Sequence, residues 1–171
     1  MGLNRRTFVV GGYTTKFIGK GHPDFIWKRH PDFGKKENPT WEELLQQAVS
    51  ELIAQTGLNP EDVDRLFLGN FTGELFVNQG HMGAGLVGTH PAFANKPSMR
   101  VEGACASGGL AIMAGLDAIA AGADIVLVAG VERLDLMRRQ QRHRPVLALQ
   151  LARPVVAAAT GFDIDALGVE I

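Results

Sequence analysis

The chain has 171 residues, of which 46% are hydrophobic and 20% charged, and its formal net charge at pH 7 is −1. This balance is typical of a globular domain with a sizeable core and favours neither nucleic acid nor an anionic membrane as a partner. The single cysteine excludes an internal disulfide, no Cys/His cluster has zinc spacing, and no apolar run reaches membrane-spanning length.

The first predicted element is a strand over residues 7–14, which begins with a short apolar run. The Arg-Arg pair before it superficially resembles a twin-arginine export signal. Two glycines and then Lys16 interrupt the apolar stretch that such a signal requires. We therefore expect a folded domain from this point and a cytoplasmic protein.

Residues 18–39 are polar and aromatic with several glycines and prolines, and they predict a loop. His-Pro-Asp-Phe occurs there twice, at 22–25 and 30–33. Two copies are too few for a repeat architecture. We interpret His22 and His30 as ordinary loop histidines.

The clearest helix follows Thr40, because Thr40 and Glu43 form a capping box and the next apolar residues keep helical spacing. Gly57 is placed to end this helix, and Pro60 to begin a second, short one. Further along, residues 66–68, 97–102 and 125–129 predict strands. Helices interspersed with strands favour a layered α/β fold.

Cys105 lies in the small-residue stretch 101–110, between the strand at 97–102 and an Ala-rich apolar run over 110–121. The apolar run predicts a helix buried on every face. The first N–H groups of a helix favour an anion, so this position suits a nucleophilic thiolate. A buried cysteine acting as a small hydrophobic residue fits the same pattern, and position and composition alone do not decide between the two.

Two stretches resemble the nucleophile region of the thiolase superfamily: Gly-Ala-Cys-Ala-Ser-Gly-Gly at 103–109 and Ala-Asp-Ile-Val-Leu-Val-Ala-Gly-Val-Glu at 123–132. The segment Phe-Val-Val-Gly-Gly-Tyr-Thr-Thr-Lys-Phe at 8–17 is similar to the opening strand of sterol-carrier-type thiolases. The resemblance covers about residues 7–132 and corresponds to the N-terminal half of such an enzyme, or of an acetyl-CoA acetyltransferase.

The resemblance implies an α/β, layered α-β-α fold with a mixed sheet, a buried nucleophile helix and a further helix over residues 79–87. It implies that Cys105 is the catalytic, acyl-accepting cysteine of an acetyl-CoA C-acetyltransferase or 3-ketoacyl-CoA thiolase in lipid metabolism. The substrate would be a coenzyme A thioester, with no metal and no tightly bound cofactor, and the protein would form a homodimer or bind a partner that supplies the C-terminal half. No partner nucleic acid or membrane is expected.

The family's catalytic Gly-His-Pro histidine, Asn-Glu-Ala-Phe element and second cysteine belong to its C-terminal half, and none is found here in position. Gly-His-Pro at 21–23 lies upstream of Cys105 instead, so we interpret it as a coincidence. We therefore expect the chain alone to be inactive or weakly active and to need a partner that supplies the C-terminal half.

After Glu132 the composition changes, because residues 133–171 contain six arginines and no lysine. We interpret this Arg/Ala-rich tail as foreign to the fold and hypothesise a frameshift. One permissible set of codons for residues 140–145, shifted by one base, encodes Ser-Ser-Gly-Thr-Asp, similar to an element common in thiolases. A basic, nucleic-acid-binding or partner-binding segment is a weaker alternative, since the tail lacks interleaved aromatic residues and a recognisable motif.

Three alternatives remain for the whole chain: a non-catalytic thiolase-like subunit, a truncated gene product, and a ketoacyl synthase of the same superfamily. Retention of Cys105 argues against a purely structural subunit, whereas the missing histidine argues for it. The Cys-Ala-Ser-Gly stretch and the Thr-Lys-Phe opening favour a thiolase over a ketoacyl synthase.

Overall fold

The computed structural model describes residues 5–132, and the Arg/Ala-rich tail with its hypothesised frameshift lies outside the described residues. The boundary at Glu132 therefore stays a prediction. The described residues belong to two compact units, one formed by residues 5–16 and 39–132 and the other by residues 17–38.

The larger unit contains a parallel sheet of three strands among the described residues. Its elements are, in chain order, α1 (Trp41–Thr56), β1 (Arg65–Gly69), α2 (Gly73–Val77), α3 (Gly83–Val87), β2 (Ser98–Val101), α4 (Ser107–Ala120) and β3 (Val126–Gly130). The strand order is β2-β1-β3, and β1 is parallel to both neighbours. The strands expected near 66–68, 97–102 and 125–129 are confirmed. The mixed sheet is not seen within residues 5–132, where every strand pair is parallel.

Helix α1 begins and ends where the sequence predicts. The Thr40 hydroxyl accepts the Glu43 N–H at 3.1 Å, and the Glu43 carboxylate accepts the Thr40 N–H at 2.7 Å. At the other end, Gly57 adopts a φ of 65° and its N–H bonds to the Ile53 carbonyl. A left-handed residue at this position closes a helix at little cost when it is glycine.

Side chains of the central strand alternate between two apolar cores, so the unit is layered α-β-α. On one face, Leu66 and Leu68 join a core built on α1 and α3. On the other face, Phe67 packs with Ala111 and Ala118 of α4. This alternation follows from the two-residue period of a strand, and it confirms the layered α/β fold.

The strand predicted over residues 7–14 does not form, and this prediction is wrong. These residues have no regular structure. Phe8 and Val10 are 73% and 77% exposed, and Val9 is 94% exposed. An apolar, β-branched run becomes a strand only when a neighbouring strand pairs with its backbone, and no such partner is present among the described residues.

Helix α4 differs from the sequence prediction in its start and in its burial. It begins at Ser107 rather than at residue 110, and its buried positions form one stripe, namely Ser107, Ala111, Gly115 and Ala118. Ile112 and Met113 are 56% and 59% exposed. The expectation of a helix buried on every face is therefore wrong, because uniform hydrophobicity cannot tell which faces another layer covers.

Arg5, one of the two arginines that resemble an export signal, lies against the end of α4. Its guanidinium donates to the carbonyls of Ile119 at 3.2 Å and Ala123 at 3.0 Å, and it pairs with Asp124 at 2.6 Å. A cation at a helix C-terminus compensates the free carbonyls and the helix dipole.

The helix expected over residues 79–87 is shortened to α3, because His81 has a left-handed φ of 56° that a helix does not accommodate.

Residues 17–38 form a loop, as predicted, with local turns. Within it the Asn38 side chain bonds both the N–H of Ile26, at 2.8 Å, and the carbonyl of Ile26, at 3.1 Å.

In residues 5–132, no helix combines the length and apolar character needed to cross a membrane.

Candidate active site

The carboxyl ends of the three strands meet at one edge of the sheet. Gly69 is in register with Val101 on one side and with Gly130 on the other. The segments that follow these residues, at 70–72, 102–105 and 131–132, therefore emerge at the same edge. This is where parallel α/β sheets bind ligands.

Cys105 lies at this edge, in a 3-10 turn over Ala104–Ala106 that leads directly into α4. Its side chain is exposed. The alternative that Cys105 is buried as a small hydrophobic residue is therefore wrong. An exposed thiol at the start of a 14-residue helix is accessible to a reagent from solvent.

Two oxygen atoms hold the backbone of the Cys105 turn. The Ser107 hydroxyl accepts the Gly103 N–H at 3.0 Å and donates to the Ala104 carbonyl at 2.7 Å. The Glu102 carboxylate accepts the Ala104 N–H at 2.8 Å. Ala104 has a φ of 51°, a left-handed conformation that costs an L-residue roughly 1–2 kcal/mol. The surrounding hydrogen bonds compensate this cost.

The turn leaves one backbone donor at Cys105. The N–H groups of Ala106 and Ser107 bond to the carbonyls of Gly103 and Ala104. Those of residues 103 and 104 are taken by the side chains described above. Among the described residues, no acceptor is found for the N–H of Cys105 itself. That group can stabilise negative charge on a reacting oxygen.

Gly69 allows the start of α4 to approach the end of β1. A Cβ placed on Gly69 would lie 2.8 Å from the Ser107 carbonyl oxygen and 2.9 Å from the backbone of Gly108. These neighbours are backbone atoms and cannot rotate away. Glycine at this strand end is therefore required for the close contact that brings the Cys105 turn to the sheet.

Side chains from all three strand ends fix the loop that follows β1. The buried Asn70 amide donates to the Val131 carbonyl at 2.7 Å and accepts the Gly73 N–H at 3.1 Å. Arg100 donates to the Phe71 carbonyl at 2.7 Å, and the Glu132 carboxylate accepts the Phe71 N–H. Sequence analysis missed this cluster, because its members lie about 30 and 60 residues apart in the chain.

Burial raises the pKa of Glu132, since desolvation disfavours the carboxylate. The N–H groups of Phe71 and Thr72 and the positive charge of Arg100 act in the opposite direction and only partly compensate. The second oxygen of Glu132 is buried without a hydrogen-bond partner among the described residues. Glu132 is thus a half-satisfied carboxylate at the same edge as Cys105.

Three of the histidines take local roles in turns. The Nδ1 atoms of His22, His30 and His90 each accept the N–H two residues later, at 3.1 Å in every case. Each of these three histidines is followed directly by proline, and phenylalanine stands three positions after the histidine. The two copies of His-Pro-Asp-Phe therefore share their turn with His-Pro-Ala-Phe at 90–93. The sequence analysis missed the third copy because one of its four residues differs.

In residues 5–132, no group of three or more potential ligands could hold a metal ion.

Comparisons with known proteins all indicate the same family. The family model described as "Thiolase, N-terminal domain" matches residues 30–158. The acetyl-CoA acetyltransferases of Methanothermobacter thermautotrophicus and Methanocaldococcus jannaschii are each 38% identical over 96 residues, or 56% of this chain. The aligned region covers 25% of the first relative and 24% of the second. The chain thus spans about a quarter of the length of the curated relatives it matches.

Proposed function

Because this chain belongs to the thiolase family, through the family's N-terminal domain, we propose that it takes part in thiolase-type acyl transfer with Cys105 as the nucleophile. The observation that carries the proposal is the exposed thiol at the start of α4, on the carboxyl edge of the parallel sheet. The substrate is a coenzyme A thioester, acetyl-CoA in the first instance. No tightly bound cofactor takes part.

The reaction begins when the Cys105 thiolate attacks the thioester carbonyl. The carbon–sulfur bond to coenzyme A then breaks, coenzyme A leaves as a thiol with the proton that Cys105 lost on forming the thiolate, and the acyl group stays on Cys105 as a new thioester. The free N–H of Cys105 donates to the oxyanion of the tetrahedral intermediate. A second acyl-CoA or free coenzyme A then accepts the acyl group, in condensation or cleavage respectively.

The catalytic base and the second cysteine of the family are proposed to come from its other half. The chain has a single cysteine, and three of its histidines are engaged in local turns. The 171-residue chain is therefore expected to accept an acyl group slowly and to show little or no turnover until a chain with the C-terminal half completes the site.

The test is an intact-mass spectrum of the purified chain before and after incubation with acetyl-CoA. The expected result is one acetyl adduct, absent from Cys105→Ser. The absence of an adduct on the folded chain would contradict the proposed role of Cys105 as the nucleophile. The alternative of a non-catalytic thiolase-like subunit would then be favoured. An adduct formed only from a carrier-protein thioester identifies a ketoacyl synthase instead.

The tail requires a separate test. We propose that the sequence of residues 133–171 departs from that of the family because of a frameshift, and the change in composition after Glu132 supports this. The family match nevertheless extends to residue 158. Resequencing the gene distinguishes the two cases: a single-base difference near codon 140 supports the frameshift, and an unchanged frame through codon 171, matched by related genes, contradicts it.

A further inference from the structure

Ser107 is the buried polar residue closest in sequence to Cys105. It is 5% exposed, and its hydroxyl makes two hydrogen bonds, both to the turn that carries the thiol. It accepts the N–H of the residue before the turn and donates to the carbonyl of its first residue. The hydroxyl thus links the start of α4 to the strand exit that precedes Cys105.

Ala104 is the residue most dependent on this link. Its left-handed φ of 51° is stabilised through its carbonyl by Ser107 and through its N–H by Glu102. Without the hydroxyl, the Ala104 carbonyl keeps only the Ser107 N–H as a donor and the Gly103 N–H loses its acceptor, so the peptide is held less firmly against relaxation toward the conformations that alanine prefers. The direction of the Cys105 side chain would change with it.

We propose that Ser107 is a positioning residue, which holds Ala104 left-handed and thereby keeps the Cys105 thiol and N–H aligned for attack on a thioester. This inference rests on the proposed role of Cys105. Ser107 does not contact the reacting atoms. It acts by keeping one conformation of the turn populated before the substrate binds.

The experiment uses the full chain and measures two rates on Cys105 by mass spectrometry: acetylation by acetyl-CoA at several concentrations, and alkylation by iodoacetamide. The variants are Ser107→Ala, Ala104→Gly and the double variant. Thr89→Val is the matched control, because it removes another buried hydroxyl, one that donates to the Leu86 carbonyl at 2.7 Å. Circular dichroism and thermal unfolding monitor the fold of every variant.

Ser107→Ala is expected to slow both rates about five- to tenfold, since the loss of one net hydrogen bond shifts a conformational equilibrium by about this factor. The acetyl-CoA concentration for half-maximal rate should not change. Thr89→Val should leave both rates unchanged. Ala104→Gly in the Ser107→Ala background should restore much of the loss, because glycine adopts a positive φ without a steric penalty.

Rates in Ser107→Ala equal to those of the unmodified chain overturn the inference, and so does a loss that Ala104→Gly fails to restore. If Ser107→Ala does not fold, Glu102→Ala provides the second test. It removes the exposed acceptor of the Ala104 N–H and should slow the same rates more weakly. If the unmodified chain is not acetylated, the proposed function fails, while the alkylation rates still test Ser107.

Discussion

Asp64 is an exposed residue whose carboxylate has a defined structural role. One of its oxygens accepts the N–H of Asp124 at 2.7 Å and that of Ile125 at 3.1 Å, immediately before β3 begins. The hydrogen bond from Ile125, followed by that from Asp124, lowers the pKa of Asp64. A carboxylate with a depressed pKa in the folded state stabilises the fold above its unfolded pKa, and this contribution is lost as the pH falls through the folded value.

Asp64→Asn should therefore lower the free energy of unfolding at pH 7 and flatten its decline below about pH 4, the ordinary range of aspartate. Urea unfolding at several pH values provides the measurement. Asp62→Asn, an exposed change two residues away, should leave the acid profile as it is. An unchanged profile in Asp64→Asn would contradict a role for these two N–H bonds.

Gly85 shows a conflict between helix propensity and packing. A Cβ on this residue of α3 would lie 2.2 Å from the ring of Trp41, which is 3% exposed. Alanine in a helix is favoured over glycine by roughly 1 kcal/mol, whereas overpacking a core costs roughly 1–3 kcal/mol. We expect overpacking to be the larger effect here.

Gly85→Ala should accordingly destabilise the protein by about 1 kcal/mol or more, measured by urea unfolding. Gly109→Ala in α4 is the matched helical control, because a Cβ there meets no atom within 4 Å. That variant should be neutral or more stable. A Gly85→Ala protein at least as stable as the Gly109→Ala protein would show that Trp41 moves without cost.

At the scale of elements, the start of α1 depends on its capping box. Both reciprocal bonds between Thr40 and Glu43 are present, and the first turn also carries Glu42 beside the positive end of the helix dipole. The helix supplies Trp41, Leu45 and Val49 to the core. Loss of the cap therefore weakens a helix on which one face of the sheet depends.

Thr40→Ala should lower the free energy of unfolding by about 1 kcal/mol, the usual effect of removing an N-cap hydroxyl. Thr40→Ser keeps the oxygen and should preserve most of the stability. Thermal and urea unfolding of the three proteins give the comparison. Equal stability of the alanine and serine variants would rule out a contribution from the hydroxyl.

At the scale of the whole molecule, three exposed apolar side chains lie on the α4 side of the sheet. Ile112 and Met113 protrude from α4, and Met99 of β2 is 56% exposed. Met99 is in register with Phe67, which packs on the α4 side, so the three share one side of the sheet. Large exposed apolar patches commonly mark protein interfaces. The homodimer is itself a prediction from the sequence, and we propose that it forms through this side.

Ile112→Glu should shift the chain toward monomer in sedimentation velocity, because a charge at the centre of an apolar interface is left desolvated. Leu75→Glu changes an equally apolar, 70% exposed residue on α2 and serves as the control. If both variants sediment as the unmodified chain does, the proposed interface is wrong.

The amino-acid sequence alone determined the elements that depend on neighbouring residues. The capping box at Thr40, the left-handed end at Gly57 and the strands at 66–68 and 125–129 all follow from contacts or patterns within a few residues. The resemblance around Cys105 also belongs to this local level. Its position before a helix is encoded in seven consecutive residues.

Only the tertiary structure decided which apolar surfaces are covered and which backbone conformations are held. The segment at 7–14 has strand-forming residues but no pairing strand, and α4 is apolar nearly all round but covered along one stripe. The Asn70–Arg100–Glu132 cluster is stabilised by groups from separate elements. Pairing, burial and the fixing of a loop depend on atoms distant in the chain, which local propensity does not specify.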